Sequence, residues 1–255
     1  MFEQITIGSV GSAPNHILAI DVNNDGATDL VVGNTGSGSI SVFMNDGDGS
    51  FHFSSQNFVG GGSRGLAAGD FNGDGYVDIA AANGGRNVTV ALNDGAGAFP
   101  TGTNIGGSIQ DPGPVVAADF DGDSDTDLVV GTYDLGIHDA WLLRNNGTGG
   151  FSASGIYDGR EIQWFDVADF DRDGRPDLLG GASSFIRTRI LWNEGAGSFG
   201  YEYIDSYGLP NHGAAADLNG DGAMDFVVAS RSNLQPYLNG GYGAFSSGAL
   251  YSVPS

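Results

Sequence analysis

The chain is 255 residues long, 40% hydrophobic, and carries 45 glycines, no cysteine and a net charge of -22. That hydrophobic content supports a packed core and argues against disorder, and the absence of cysteine excludes disulfides and thiolate metal sites. With 31 acids against nine bases, the chain lacks the basic surface that nucleic acid or an anionic membrane requires. No apolar run approaches the ~18 residues of a membrane span.

In chain order, the N-terminus, Met1-Phe2-Glu3-Gln4, has no signal-peptide pattern. A strand is expected from Phe2. The first acidic segment follows, Asp21-Val-Asn-Asn-Asp-Gly-Ala-Thr-Asp29, and four more copies come after it. They run 70–78, 119–127, 169–177 and 217–225, with first aspartates 49, 49, 50 and 48 residues apart. A second motif keeps step: Asn45-Asp-Gly-Asp-Gly-Ser-Phe51, then 93–99, 145–151, 193–199 and 239–245. Two phased motifs at a period near 50 define a repeat architecture.

Each repeat has room for four short strands. Around the second loop they are expected at 66–69, 77–82 and 88–93, with a fourth from Phe99. Runs of β-branched and small apolar residues between glycine clusters suit strands, and no long helical period occurs. The fold class expected is all-β: one five-bladed β-propeller over 1–255, with a solenoid as the competing architecture. Phe2 lies 19 residues before Asp21, as Phe51 lies 19 before Asp70. The N-terminal strand is therefore expected to close the last blade and remove its open edge, leaving the last ten residues surplus.

The acidic loops suit calcium, which takes six to eight oxygen ligands. Positions 1, 3, 5 and 9 are always Asp or Asn, and position 7 offers a backbone carbonyl. The ligand sets are Asp21, Asn23, Asp25, Ala27 and Asp29; Asp70, Asn72, Asp74, Tyr76 and Asp78; and Asp119, Asp121, Asp123, Asp125 and Asp127. The fourth and fifth are Asp169, Asp171, Asp173, Arg175 and Asp177; and Asp217, Asn219, Asp221, Ala223 and Asp225. Up to five ions are expected. The loops hold 18 of the 31 acids, so a local cation requirement explains most of the acidic excess. An EF-hand is excluded, because position 12 is never glutamate and lies in a strand. Position 6 is glycine except at Ser124, and Arg172 and Arg175 offset charge in the fourth loop.

Asp70-Phe-Asn-Gly-Asp-Gly-Tyr-Val-Asp-Ile-Ala and Asn93-Asp-Gly-Ala-Gly-Ala-Phe, with their four relatives, resemble the FG-GAP/VCBS repeats of calcium-loop propellers, also found in integrin alpha subunits. The resemblance covers almost the whole chain. It implies a calcium-binding propeller, but not one function: members act as lectins, adhesion heads, and domains attached to hydrolases or lyases. Many have seven blades, where five are counted here.

If the acidic loops join the first and second strands of each blade, they share one face. The other face then collects Arg64, Arg86, Arg160, Arg187, Arg189 and Arg231, with Tyr133, His138, Tyr157, Trp164, Phe185, Tyr207 and His212. Loop-borne arginines and aromatics are common recognition equipment. Five residues before the first aspartates lie His16, Gly65, Pro114, Trp164 and His212, at the expected channel mouth. His16, Arg64, Arg86, Trp164, Arg187 and His212 are the ligand candidates; the competing reading is that such residues pack the channel. No catalytic residue is assigned. The expectation is a secreted or cell-surface binding module for carbohydrate or an extracellular protein, without membrane insertion or nucleic-acid binding. A polysaccharide lyase or hydrolase, and a structural or adhesion domain, are the alternatives.

Overall fold

The computed structural model describes residues 10–85, 87–100, 102–107, 109–133, 139–157, 161–182 and 184–252. All regular structure among them is strand. The first sheet is β1 (Pro14–Ile20), β2 (Asp29–Asn34), β3 (Ser39–Asn45) and β4 (Phe51–Phe58). The second is β5 (Ser63–Gly69), β6 (Asp78–Asn83), β7 (Val88–Ala91) and β8 (Gly102–Ile105). The third is β9 (Pro112–Ala118), β10 (Asp127–Thr132), β11 (Ala140–Asn145) and β12 (Phe151–Tyr157). The fourth is β13 (Trp164–Ala168), β14 (Asp177–Gly181), β15 (Arg187–Gly195) and β16 (Ser198–Asp205). The fifth is β17 (His212–Ala216), β18 (Asp225–Ala229), β19 (Asn233–Asn239) and β20 (Phe245–Ser247), with β21 (Tyr251–Ser252) also on β19.

Strands pair antiparallel in sequence order, as in β14 on β15, where Leu179 faces Ile190. Second strands read as unbroken apolar runs because both faces are covered: β6 is buried throughout. Outer strands such as β4 alternate between half-buried and exposed residues. The fourth strand of the second sheet begins at Gly102, not at Phe99, which is buried in the preceding turn. β20 and β21 fill the outer place on β19. The expected N-terminal closing strand lies outside the described residues.

The chain divides into two compact units, residues 1–117 with 145–152, and 118–144 with 153–255. In the first, Val22, Val31, Ile40, Leu66, Ile79 and Phe99 belong to one buried cluster. In the second, Trp164, Phe170, Leu179, Ile190, Phe226 and Tyr237 do the same.

One polar staple recurs through both units. The ninth loop aspartate is buried, and its two carboxylate oxygens accept different backbone N–H groups. Asp78 accepts from Phe71 at 3.0 Å and from Asn93 at 2.8 Å. Asp29, Asp177 and Asp225 repeat the pair. The asparagine that opens the second motif then reaches the preceding sheet. Asn93 Nδ2 donates to the Val22 carbonyl at 2.7 Å, Asn145 to Phe71, Asn193 to Phe120 and Asn239 to Phe170. Phenylalanines close the same junctions edge-on: Phe151 against Phe71, and Phe245 against Phe170. In the last sheet the matching second-position residue, Leu218, is 47% exposed.

Asn239 also donates to the Met224 carbonyl and accepts from Gly241 N–H. Asn239→Ala strands two buried carbonyls, so it should lower unfolding free energy by about 2–3 kcal/mol, read as an earlier urea midpoint.

Candidate functional site

The five aspartate loops join the first and second strands of the five sheets, all at the same end of those strands. Each loop winds around its first carboxylate. Oδ2 of Asp21, Asp70, Asp119, Asp169 and Asp217 accepts the backbone N–H of position 6 at 2.8–2.9 Å. The fifth-position aspartate accepts the N–H of position 7, as Asp25 does from Ala27 and Asp173 from Arg175, 2.8 and 2.9 Å. That bond holds the Asp25 carboxyl below its ordinary range.

This winding needs two left-handed residues per loop. Position 6 has φ of 82–87° at its four glycines and 75° at Ser124. Position 4 is left-handed too, at Asn24, Gly73, Gly122, Arg172 and Gly220. In the sequence, glycine marks the first of these in four loops and the second in three.

The loops differ at position 3. In the first, second and fifth it is asparagine, whose amide donates to the fifth-position carboxylate: Asn23 to Asp25, Asn72 to Asp74 and Asn219 to Asp221. In the third and fourth it is aspartate. Carboxylate oxygens of Asp119, Asp121 and Asp127 there lie within 4.8 Å of one another, as do those of Asp169, Asp171 and Asp177. Burial, with the neighbouring carboxylates Asp123 and Asp173, raises the pKa of Asp121 and Asp171. Asp177 is pushed up to about 6, chiefly by burial and further by Asp171 and Asp173. A cation reverses that penalty, so the donor sets fit a hard oxygen-seeking ion. Arginines already lean on the same loops. Arg175 pairs with Asp173, Arg172 reaches the Asp221 carbonyl, and Arg144 Nε lies 3.6 Å from Asp121.

Several of the ligand candidates from sequence are engaged or packed. Arg64 is paired with Asp111, and Arg187 with Asp205 at 2.7 Å. Trp164 is only 4% exposed; its Nε1 donates to the Pro210 carbonyl and its ring stacks on His212 at 5.7 Å. His16 is half-buried, with its pKa lowered by burial. Arg86 lies outside the described residues, as do Arg160 and His138.

Two open clefts instead occupy one repeat place in the second unit. One, of about 400 Å³, is lined by Arg144, Ser154, Gly155 and Ile156 against the turn 196–199. The other, of about 450 Å³, is lined by 202–205 of β16 against 243–245. Each is walled by the outer strand of one sheet and the second-motif turn of the next. Arg144 ties the first together, donating to Ser154 Oγ at 2.8 Å and to the Gly197 carbonyl at 3.1 Å. Glu202, Tyr203 and Asp205 are polar or aromatic residues on an outer strand, outside the positions singled out from sequence.

The FG-GAP-like repeat matches three overlapping stretches, 21–81, 70–130 and 119–180, and the chain belongs to that family. No curated protein matches the sequence. Among solved structures it is similar to an Agrocybe aegerita lectin described as specifically recognising non-reducing terminal N-acetylglucosamine, with 22% identity and TM-score 0.66. That match covers 93% of this chain but 65% of the lectin, just under two thirds of its length. BBS1N, in complex with ARL6DN, is 11% identical with TM-score 0.63, covering 97% and 70%. A functionally unknown protein from Desulfotomaculum acetoxidans is 12% identical with TM-score 0.69, covering 96% and 71%. These likenesses concern the fold, and the five sheets are consistent with blades of a β-propeller.

Ser124 carries left-handed strain of ~1–2 kcal/mol, part of which glycine's extra chain entropy offsets by ~0.5–1 kcal/mol. Ser124→Gly should therefore raise stability by up to about 1 kcal/mol, seen as a higher thermal midpoint.

Proposed function

We propose that the protein is a calcium-stabilised β-propeller binding module that recognises carbohydrate in clefts between its blades. The observation that carries the reading is the pair of repeat-equivalent clefts, 400 and 450 Å³, a size suited to small ligands. Their polar walls offer Arg144, Ser154, Glu202 and Asp205 to hydroxyls. The lectin likeness supports the ligand class. Recurrence of one cleft along a repeat chain favours several weak sites acting together.

Calcium belongs to the frame in this reading. It would be held by positions 1, 3, 5 and 9 and the position 7 carbonyl of each loop. The ion supplies charge neutralisation where three carboxylates converge. We also assign the protein to the cell exterior, where calcium is abundant, and to binding rather than catalysis. No helix among the described residues is long and apolar enough to cross a membrane. A protein ligand is the second reading, favoured by Phe58, which is 74% exposed beside the exposed Phe53 on β4.

Two measurements test the proposal. Stripping calcium with a chelator should lower the thermal midpoint by many degrees, and titration back should show close to five sites in the ~0.1–1 mM range or tighter. No binding and an unchanged midpoint would remove calcium from the account. On a glycan array, the calcium-loaded protein should bind a definite sugar set. Glu202→Ala and Arg144→Ala should each reduce that signal about tenfold or more. Absence of glycan binding, with capture of an extracellular protein lost in Phe58→Ser, would favour the second reading.

A further inference from the structure

Among the described residues, the fourth blade contains a buried cation with no anion beside it. Arg189 on β15 is fully buried, and among the described residues no carboxylate lies within ion-pair distance. Its Nη1 donates to the Glu161 carbonyl at 3.3 Å, and its charge acts on the Tyr157 hydroxyl, while among the described residues Nε and Nη2 meet no acceptor with hydrogen-bond geometry. A guanidinium stays charged at any accessible pH, and an unpaired buried charge is among the costliest features a fold can hold.

The surroundings are built rather than incidental. The guanidinium carbon lies 5.6 Å from the Tyr157 ring centre, 5.2 Å from that of Phe185 and 5.7 Å from that of Tyr203. Three aromatic faces attract the charge but accept no hydrogen bond in the guanidinium plane. The two tyrosine hydroxyls lie 2.8 Å apart, so one proton bridges them and the other remains to be donated.

Comparison among repeats shows how the vacancy in bonding arises. Four residues before the second-motif asparagine, the first and second blades carry Ser41 and Thr89. Each is bonded by a buried asparagine five residues after the ninth loop aspartate, Asn34 and Asn83. The fourth blade has Arg189 and Ala182 in those places, so the longer polar side chain has lost its partner.

The free atoms are also a matched pair. Nε–H and one Nη2–H point the same way from one edge of the guanidinium plane. That edge forms the fork that receives two oxygens of a carboxylate or sulfate. We propose that Arg189 is an anion-binding site, taking one oxyanion on its Nε/Nη2 edge with a tyrosine hydroxyl as a further donor. Phe185, half-buried in the connection between β14 and β15, covers the guanidinium on one side. The oxyanion comes either from an acidic sugar, such as a uronate, or from free inorganic anion. The site does not depend on neutral sugar entering the clefts.

The test uses the full chain in saturating calcium at constant ionic strength, titrated with sodium glucuronate, sodium sulfate or glucose. Wild type should gain about 2–4 °C in thermal midpoint with glucuronate and nothing with glucose. Sulfate matching glucuronate identifies a general oxyanion site; a weaker sulfate response identifies the sugar acid as the source. Arg189→Met, which fills the space without charge, should abolish the anion response, and Arg189→Lys, which lacks the fork, should weaken it at least tenfold. If neither variant folds, the Arg189 Nε–H resonance of wild type should shift during the glucuronate titration. No midpoint gain and no resonance shift with either anion, or an equal gain in Arg189→Met, would overturn the assignment.

Discussion

The architecture depends on one carboxylate used twice. The ninth aspartate of each loop sits at the first residue of a second strand, where burial should discourage a charge. At Asp29, Asp78, Asp177 and Asp225 each oxygen has an N–H of its own, one from the loop and one from the second motif. This explains why the two motifs keep phase along the chain. If they slipped by one residue, the asparagine N–H would no longer meet the aspartate, and a buried carboxylate would lose half its bonding. The asparagine side chain carries the order into the preceding sheet, so loop, blade and neighbour are set by one short polar chain.

Function can then vary without disturbing that frame. The loops and staples repeat nearly unchanged, while the opposite ends of the strands diverge. There Arg64 and Arg187 meet Asp111 and Asp205, Trp164 packs on His212, and Arg189 sinks among tyrosines. The clefts between blades use outer-strand residues, which the core does not constrain.

Much of this was legible in the sequence because it is periodic. Five phased loops located four strands per repeat to within a few residues, and their oxygen-rich positions marked where carboxylates converge. Non-periodic features were not legible. Arg187 faces Asp205 across an antiparallel pair, 18 residues along the chain, so a residue that looks available is already engaged. Trp164 resembles a sugar platform until Gly181 and Gly213 let its ring pack against bare backbone. Arg189 reads as a surface arginine, since charges seldom lie buried. Its signals were the replacement of asparagine by Ala182 and the pair Tyr201 and Tyr203, two residues apart on one strand face. Left-handed position 4 stayed hidden because Asn24 and Arg172, unlike glycine, do not announce it.

If the aspartate–asparagine staples form the frame, a cation bound at the loops should leave the staples unchanged. Residue-resolved hydrogen exchange with and without calcium tests it most directly. The amides of Phe71, Phe170, Asn93 and Asn193 should exchange slowly in both conditions. Those of Gly26, Gly75, Ser124, Gly174 and Gly222 should become much slower when calcium is added. Rapid exchange of the first group in the calcium-loaded protein, or loop amides that ignore calcium, would contradict the account.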